Sequence, residues 1–143
     1  MGTINTERFG PLEIDETRII HFPDGLLGFP EYRNYIILEH HPRSPFCWLQ
    51  SVDVPDLAFV MANPFQIKED YLDVLPPEEK VYFMKRDKDN IVVFALVTIP
   101  QGQVEKMTIN LLGPIVIDAE LHTGRQVILA NSGYHTRHPL VHH

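Results

Sequence analysis

The sequence predicts an all-β fold: one small antiparallel β-barrel-like domain with short helical turns. Three observations carry that expectation. The apolar runs are short and rich in Val, Ile, Phe and Tyr. Twelve prolines are spread along the chain and keep those runs short. No long stretch repeats its apolar residues at helical spacing.

The elements follow in order. Residues 17–22 (TRIIHF), 35–40 (YIILEH), 46–51 (FCWLQS) and 57–62 (LAFVMA) read as strands. Residues 81–86 (VYFMKR), 90–99 (NIVVFALVTI) and 125–131 (RQVILAN) read the same way. Residues 90–99 are almost entirely apolar, which a strand requires when both of its faces are covered. Residues 107–119 (MTINLLGPIVIDA) are broken by Gly113-Pro114. They form either one strand bent at a barrel corner or two strands separated by a kink. Residues 86–90 (RDKDN) suit a hairpin turn. Residues 121–126 (LHTGRQ) suit another, with Gly124 at the expected positive-φ position. Residues 99–103 (IPQGQ) form a loop. The helical candidate is 68–75 (KEDYLDVL), which opens with acidic residues and is stopped by Pro76-Pro77. A further short turn is expected at PPEEK.

At 143 residues the expectation is a single domain over 1–143, large enough to bury a core. The terminal His142 and His143 read as the start of a purification tag and carry no functional weight. Lys plus Arg total 12 against 19 Asp plus Glu, a net charge of −7. Such a domain is repelled by phosphate backbones, so direct nucleic-acid binding is not expected and a basic protein partner is favoured. The single Cys47 rules out an internal disulfide. No apolar run reaches the roughly 18 residues of a membrane span.

Catalytic chemistry finds little support. The sequence contains no GxSxG, Walker or GxGxxG motif. Cys47, beside Trp48 in a strand, reads as a core thiol. His40-His41 would face opposite ways on a strand. His135 and His138 have no carboxylate or Cys at metal-ligand spacing, so no metal and no cofactor is expected. The carboxylate pairs Glu69-Asp70, Glu78-Glu79 and Asp87/Asp89 read as solvated faces.

The stretch HFPDGLLGFPEYRNY (21–35) stands out. Its Gly25 and Gly28 lack the Lys and Ser/Thr of a phosphate loop. Pro23-Asp24-Gly25 reads as a turn. Leu26, Leu27 and Phe29 then either plug one end of a barrel or form a contact patch, and the residues alone favour the plug.

Six stretches together carry a likeness to a known family: FPDGLLGFPEYRNY (22–35), PFCWLQSVDVPDLAFVMANPF (45–65) with DY (70–71), TINLLGPIVID (108–118) with GRQVIL (124–129), and YHTRHPL (134–140). In this order and spacing the chain resembles the FliW family of flagellar assembly factors from about Thr17 to Leu140. The resemblance implies a β-barrel-like fold and a cytoplasmic binding protein rather than an enzyme. A monomer when free and no membrane association are expected. The resemblance implies two alternative partners, flagellin and the RNA-binding translational regulator CsrA. Flagellin holds the factor until it is exported; the freed factor then binds CsrA and relieves repression of flagellin mRNA.

The residues offered for partner contact are Leu27 and Phe29, Asn110, and the acidic set Glu69, Asp70, Glu78 and Glu79. Asn110 points opposite to Ile109 and Leu111 in a strand, so it is either an outward contact or a hydrogen-bonded structural residue. The acidic set is expected to sit beside the RNA groove of CsrA and repel incoming phosphates. The competing reading is a small β-barrel enzyme or ligand carrier with a site inside the barrel.

Overall fold

The computed structural model describes residues 2–6, 9–39, 44–71, 91–130 and 132–140. The expected strand at 81–86, the hairpin turn at 86–90, the PPEEK turn and the second half of the 68–75 helix lie outside the described residues.

Seven strands close into a ring. They are β3 (Ile20–His21), β4 (Asn34–Glu39), β5 (Phe46–Ser51), β6 (Ala58–Ala62), β7 (Ile91–Thr98), β9 (Ile115–Asp118) and β10 (Thr123–Gln126). Neighbours pair in the order β7-β6-β5-β4-β3-β10-β9, and β7 pairs again with β9 to close the barrel. All contacts around the ring are antiparallel except β3 with β10, which pair in parallel at His21 and Thr123. Outside the ring, β8 (Thr108–Ile109) continues from β7, and β11 (His138–Pro139) continues from β8. A separate hairpin, β1 (Gly2–Thr6) with β2 (Gly10–Ile14), precedes the barrel. The sequence reading missed it. Its tip docks through Phe9, whose ring meets Trp48 edge-on at 5.5 Å.

The period-2 alternation of the strands builds two cores. Inward residues Tyr35, Leu49, Met61, Ile115 and Ile117, with Phe22 beyond β3, fill the barrel. Outward residues Ala62, Ala95 and Val97 pack under Tyr71, Ile109, Leu111 and Leu129. Strand β7 therefore has both faces covered, as its apolar composition requires.

The Gly113-Pro114 break separates two strands, β8 and β9, rather than bending one. The other strand expectations need adjustment at their ends. The first half of 17–22 is a 3-10 turn, Glu16–Arg18, because Asp15 caps it by accepting from Thr17 N–H. A second 3-10 turn occupies Pro64–Gln66, with Asn63 as its cap and Pro in its first turn. In the described part of the expected 68–75 helix, Lys68 to Tyr71 forms only a turn, closed by Tyr71 N–H to the Lys68 carbonyl at 3.0 Å.

The strand expected at 125–131 is β10, two residues earlier, and the positive φ expected at Gly124 belongs to His122, at 54°. The cause lies in Asp118, whose carboxylate accepts from the N–H groups of Glu120 and Leu121, both at 3.0 Å. That fixes the turn before residue 123. Gly124 is in the strand for another reason. A Cβ there would stand 2.5 Å from the ring of Phe22.

Candidate protein-binding surface

The 21–35 stretch divides its apolar residues. Pro23-Asp24-Gly25 turns as expected: Gly25 N–H donates to the Phe22 carbonyl at 2.9 Å, with φ at 65°. No other residue fits there, since a Cβ would meet the Phe29 carbonyl at 2.6 Å. A second tight turn follows, closed by Phe29 N–H to the Leu26 carbonyl at 2.8 Å. Leu26 goes inward and is buried in the barrel core. Leu27, at the turn's tip, is 63% exposed. Phe29 is half-buried, with its ring edge-on to Phe59 at 5.3 Å. The plug reading thus holds for Leu26 and is corrected for Leu27. Two successive turns leave the latter side chain pointing out of the barrel.

The turn is anchored from far along the chain. Leu27 N–H donates to Gln126 Oε1 at 3.0 Å, and Gln126 Nε2 donates to the Gly113 carbonyl at 3.0 Å. Gly113 N–H and Leu112 N–H in turn donate to Asn110 Oδ1, at 2.9 and 3.1 Å. Leu27 and Asn110 therefore sit on one hydrogen-bonded relay. A groove of about 210 Å³ runs beside it, with Asp24, Pro30, Arg125 and Gln126 among its walls. Ile128, 49% exposed, adjoins Gly113.

Asn110 has the register expected when Ile109 and Leu111 face the core, and both of those are buried. The Asn110 side chain is half-buried, and its oxygen shapes the turn ahead of Pro114. Glu69 and Asp70 are exposed on the 68–71 turn, where Asp70 pairs with Lys68 at 3.4 Å. The next residue, Tyr71, is buried and donates its hydroxyl to the Leu111 carbonyl at 2.5 Å. Glu78 and Glu79 lie outside the described residues.

Sequence reasoning missed Gln126, Gln50 and Tyr71. Gln126 contacts residues 99 and 13 positions away, so no local pattern marks it. Gln50 is fully buried, and its Nε2 donates to the carbonyls of Ser51, Pro55 and Leu57, ordering the loop after β5. An isolated Gln in an apolar strand was the available signal for it.

Burial, and secondarily Glu39, pushes the Cys47 thiol up to about 11, and its side chain packs on the barrel core. Among the described residues no three His, Cys, Asp or Glu side chains stand together as a metal site. No described helix is long and apolar enough to cross a membrane.

The family model for the FliW protein matches residues 3–140. The chain belongs to the FliW family. It is 38% identical over 137 residues to the flagellar assembly factor FliW of Natranaerobius thermophilus, covering 96% of this chain and 91% of that one. It is 39% identical over 139 residues to the FliW of Caldanaerobacter subterraneus, covering 96% and 92%. A crystal structure of the flagellar assembly factor FliW superposes with a TM-score of 0.84 at 32% identity, covering 99% of both chains. FliW proteins are flagellar assembly factors rather than enzymes. The family match also takes in the N-terminal hairpin, which the resemblance from Thr17 onward had left out.

Proposed function

We propose that this protein is a cytoplasmic binding regulator with two competing partners, flagellin and CsrA, and that its release from flagellin relieves CsrA repression of flagellin mRNA. Membership of the FliW family supports this reading. The observation that carries it to particular residues is the Leu27 turn: a large apolar side chain held out into solvent on a rigid, hydrogen-bonded support. Competition by mass action needs no chemistry, only two partners that exclude each other. Leu27 and Ile128 supply apolar contact, with the groove at Arg125 between loop and strand. Phe29 positions the turn against Phe59, and Asn110 holds the far end of the relay.

The acidic residues act on CsrA through charge. A body of net charge −7 docked beside a basic RNA groove raises the cost of phosphate entry. Glu69, Asp70, Glu78 and Glu79 are the proposed contributors. The competing reading, an enzyme or carrier with its site inside the barrel, finds no room at the barrel's centre, which the fully buried Tyr35, Phe22, Leu49 and Met61 fill.

The test is a pull-down of the whole chain against flagellin and against CsrA, with RNA retention assayed alongside. Capture of both proteins and no RNA is expected; capture of neither removes the proposal. Reversal of the four acidic residues to Lys separates the charge mechanism from plain occlusion. It is expected to weaken inhibition of RNA binding with the fold intact, since surface charges usually alter stability by under about 0.5 kcal/mol.

A further inference from the structure

The strand registers place a second opening at the end of the barrel away from Leu27. The 22–33 connection and the end of β10 lie at one end. The start of β3, the end of β4, the start of β7 and the end of β9 lie at the other. At this second end the barrel filling stops short. A cavity of about 270 Å³ remains, walled by Ile37, Val92, Phe94 and Ile117, with Arg18 and His122 among its lining residues. Val92 is 39% exposed and marks the opening.

Both polar lining residues are fixed by their backbones. Arg18 ends the 3-10 turn capped by Asp15. The Asp15 carboxylate is engaged by Thr17, through its N–H at 3.0 Å and its hydroxyl at 2.6 Å. It reaches Arg18 only at 3.9 Å, and the Arg18 side chain is 83% exposed. An exposed pair of that length is weak and leaves the guanidinium fork open to a better acceptor. His122 is held with positive φ by the Asp118-capped turn, and its carbonyl accepts from His21 N–H at 2.9 Å.

We propose that this mouth is a binding site for a small carboxylate with a short apolar tail. The tail lies among Ile37, Val92, Phe94 and Ile117, and the carboxylate meets Arg18, with His122 as second donor. The volume falls just below the roughly 300–1,000 Å³ of drug-sized pockets, so it suits one short acyl chain rather than a folded lipid. A carboxylate is favoured over an alcohol because it accepts two parallel bonds from a guanidinium. Asp15 and Asp118, on the turns that carry Arg18 and His122, serve as turn caps and accept from nearby backbone N–H groups. The site does not depend on the partner-binding proposal.

The test titrates octanoate, and octanol as its uncharged counterpart, into the whole chain while backbone amide NMR signals are followed. Saturable shifts at Ile37, Val92 and Ile117 are expected, with octanol binding at least about fivefold more weakly. Arg18→Gln is expected to abolish that difference and leave the octanol affinity unchanged. Val92→Glu, at an exposed position, is expected to remove octanoate binding without unfolding the barrel. The absence of saturable shifts at millimolar octanoate overturns the proposal. So do shifts centred on the Leu27 turn, or equal binding of octanol and octanoate. If Val92→Glu abolishes capture of a protein partner while octanoate fails to bind, the mouth is a protein contact and the proposal falls.

Discussion

The ring of Phe22 occupies the space that a side chain at Gly124 would need: a Cβ there would come within 2.5 Å of its Cζ and 2.7 Å of a neighbouring ring carbon. The pair lies where β3 and β10 make the barrel's parallel contact. Gly124→Ala therefore overpacks the closure and is expected to cost about 1–3 kcal/mol. Urea unfolding measures it, and a variant as stable as the parent would show that the closure has slack.

Leu26 and Leu27 are adjacent and separate stability from contact. Leu26→Ala empties a buried site and is expected to cost about 2–5 kcal/mol. Leu27→Asp changes a side chain 63% exposed and is expected to shift stability by under about 0.5 kcal/mol. Its effect belongs in binding, where loss of at least about tenfold in affinity for a partner is expected. Calorimetry on both variants gives the two numbers.

Asn110→Ala removes the acceptor of two backbone N–H groups and is expected to cost about 1–3 kcal/mol. Asn110→Asp keeps an acceptor oxygen and is expected to retain most of that stability. If Asn110→Ala melts like the parent and binding alone is lost, Asn110 is a contact residue rather than the end of the relay.

Alkaline pH is expected to destabilise the fold. Burial raises Cys47 from 9.0 to about 11, and burial followed by Asp53 raises Tyr35 from 10.0 to about 12. Tyr71 is raised in the same direction by burial and by Tyr134. The unfolded chain loses these protons first, so the folded state holds more of them and stability falls as pH rises. The loss begins near pH 9, where the unfolded thiol titrates, and continues through the folded values near 11 and 12. Urea midpoints across this range check it, and Cys47→Ala is expected to flatten the earliest part.

Much of the barrel was legible because its signals are local. Residues 46–51 and 90–99 declared their strands by composition, and Gly113-Pro114 declared a break. What stayed hidden depends on distant partners. Gly124 looked like a turn residue because its role is to make room for Phe22, about a hundred positions earlier. The direction of Leu27 is set by a turn tied to Gln126, 99 positions away. The N-terminal hairpin was missed because its short alternation gains meaning only when Phe9 finds Trp48.

In the proposed regulation, two partners compete for this protein and its binding to CsrA frees RNA. The direct measurement follows fluorescent flagellin leader RNA bound to CsrA by anisotropy. Adding this protein is expected to release the RNA, less effectively as salt shortens the Debye length from about 8 Å. Adding flagellin afterwards is expected to restore RNA binding by drawing the protein away. RNA that stays bound to CsrA at saturating protein, or release that flagellin fails to reverse, would contradict the account.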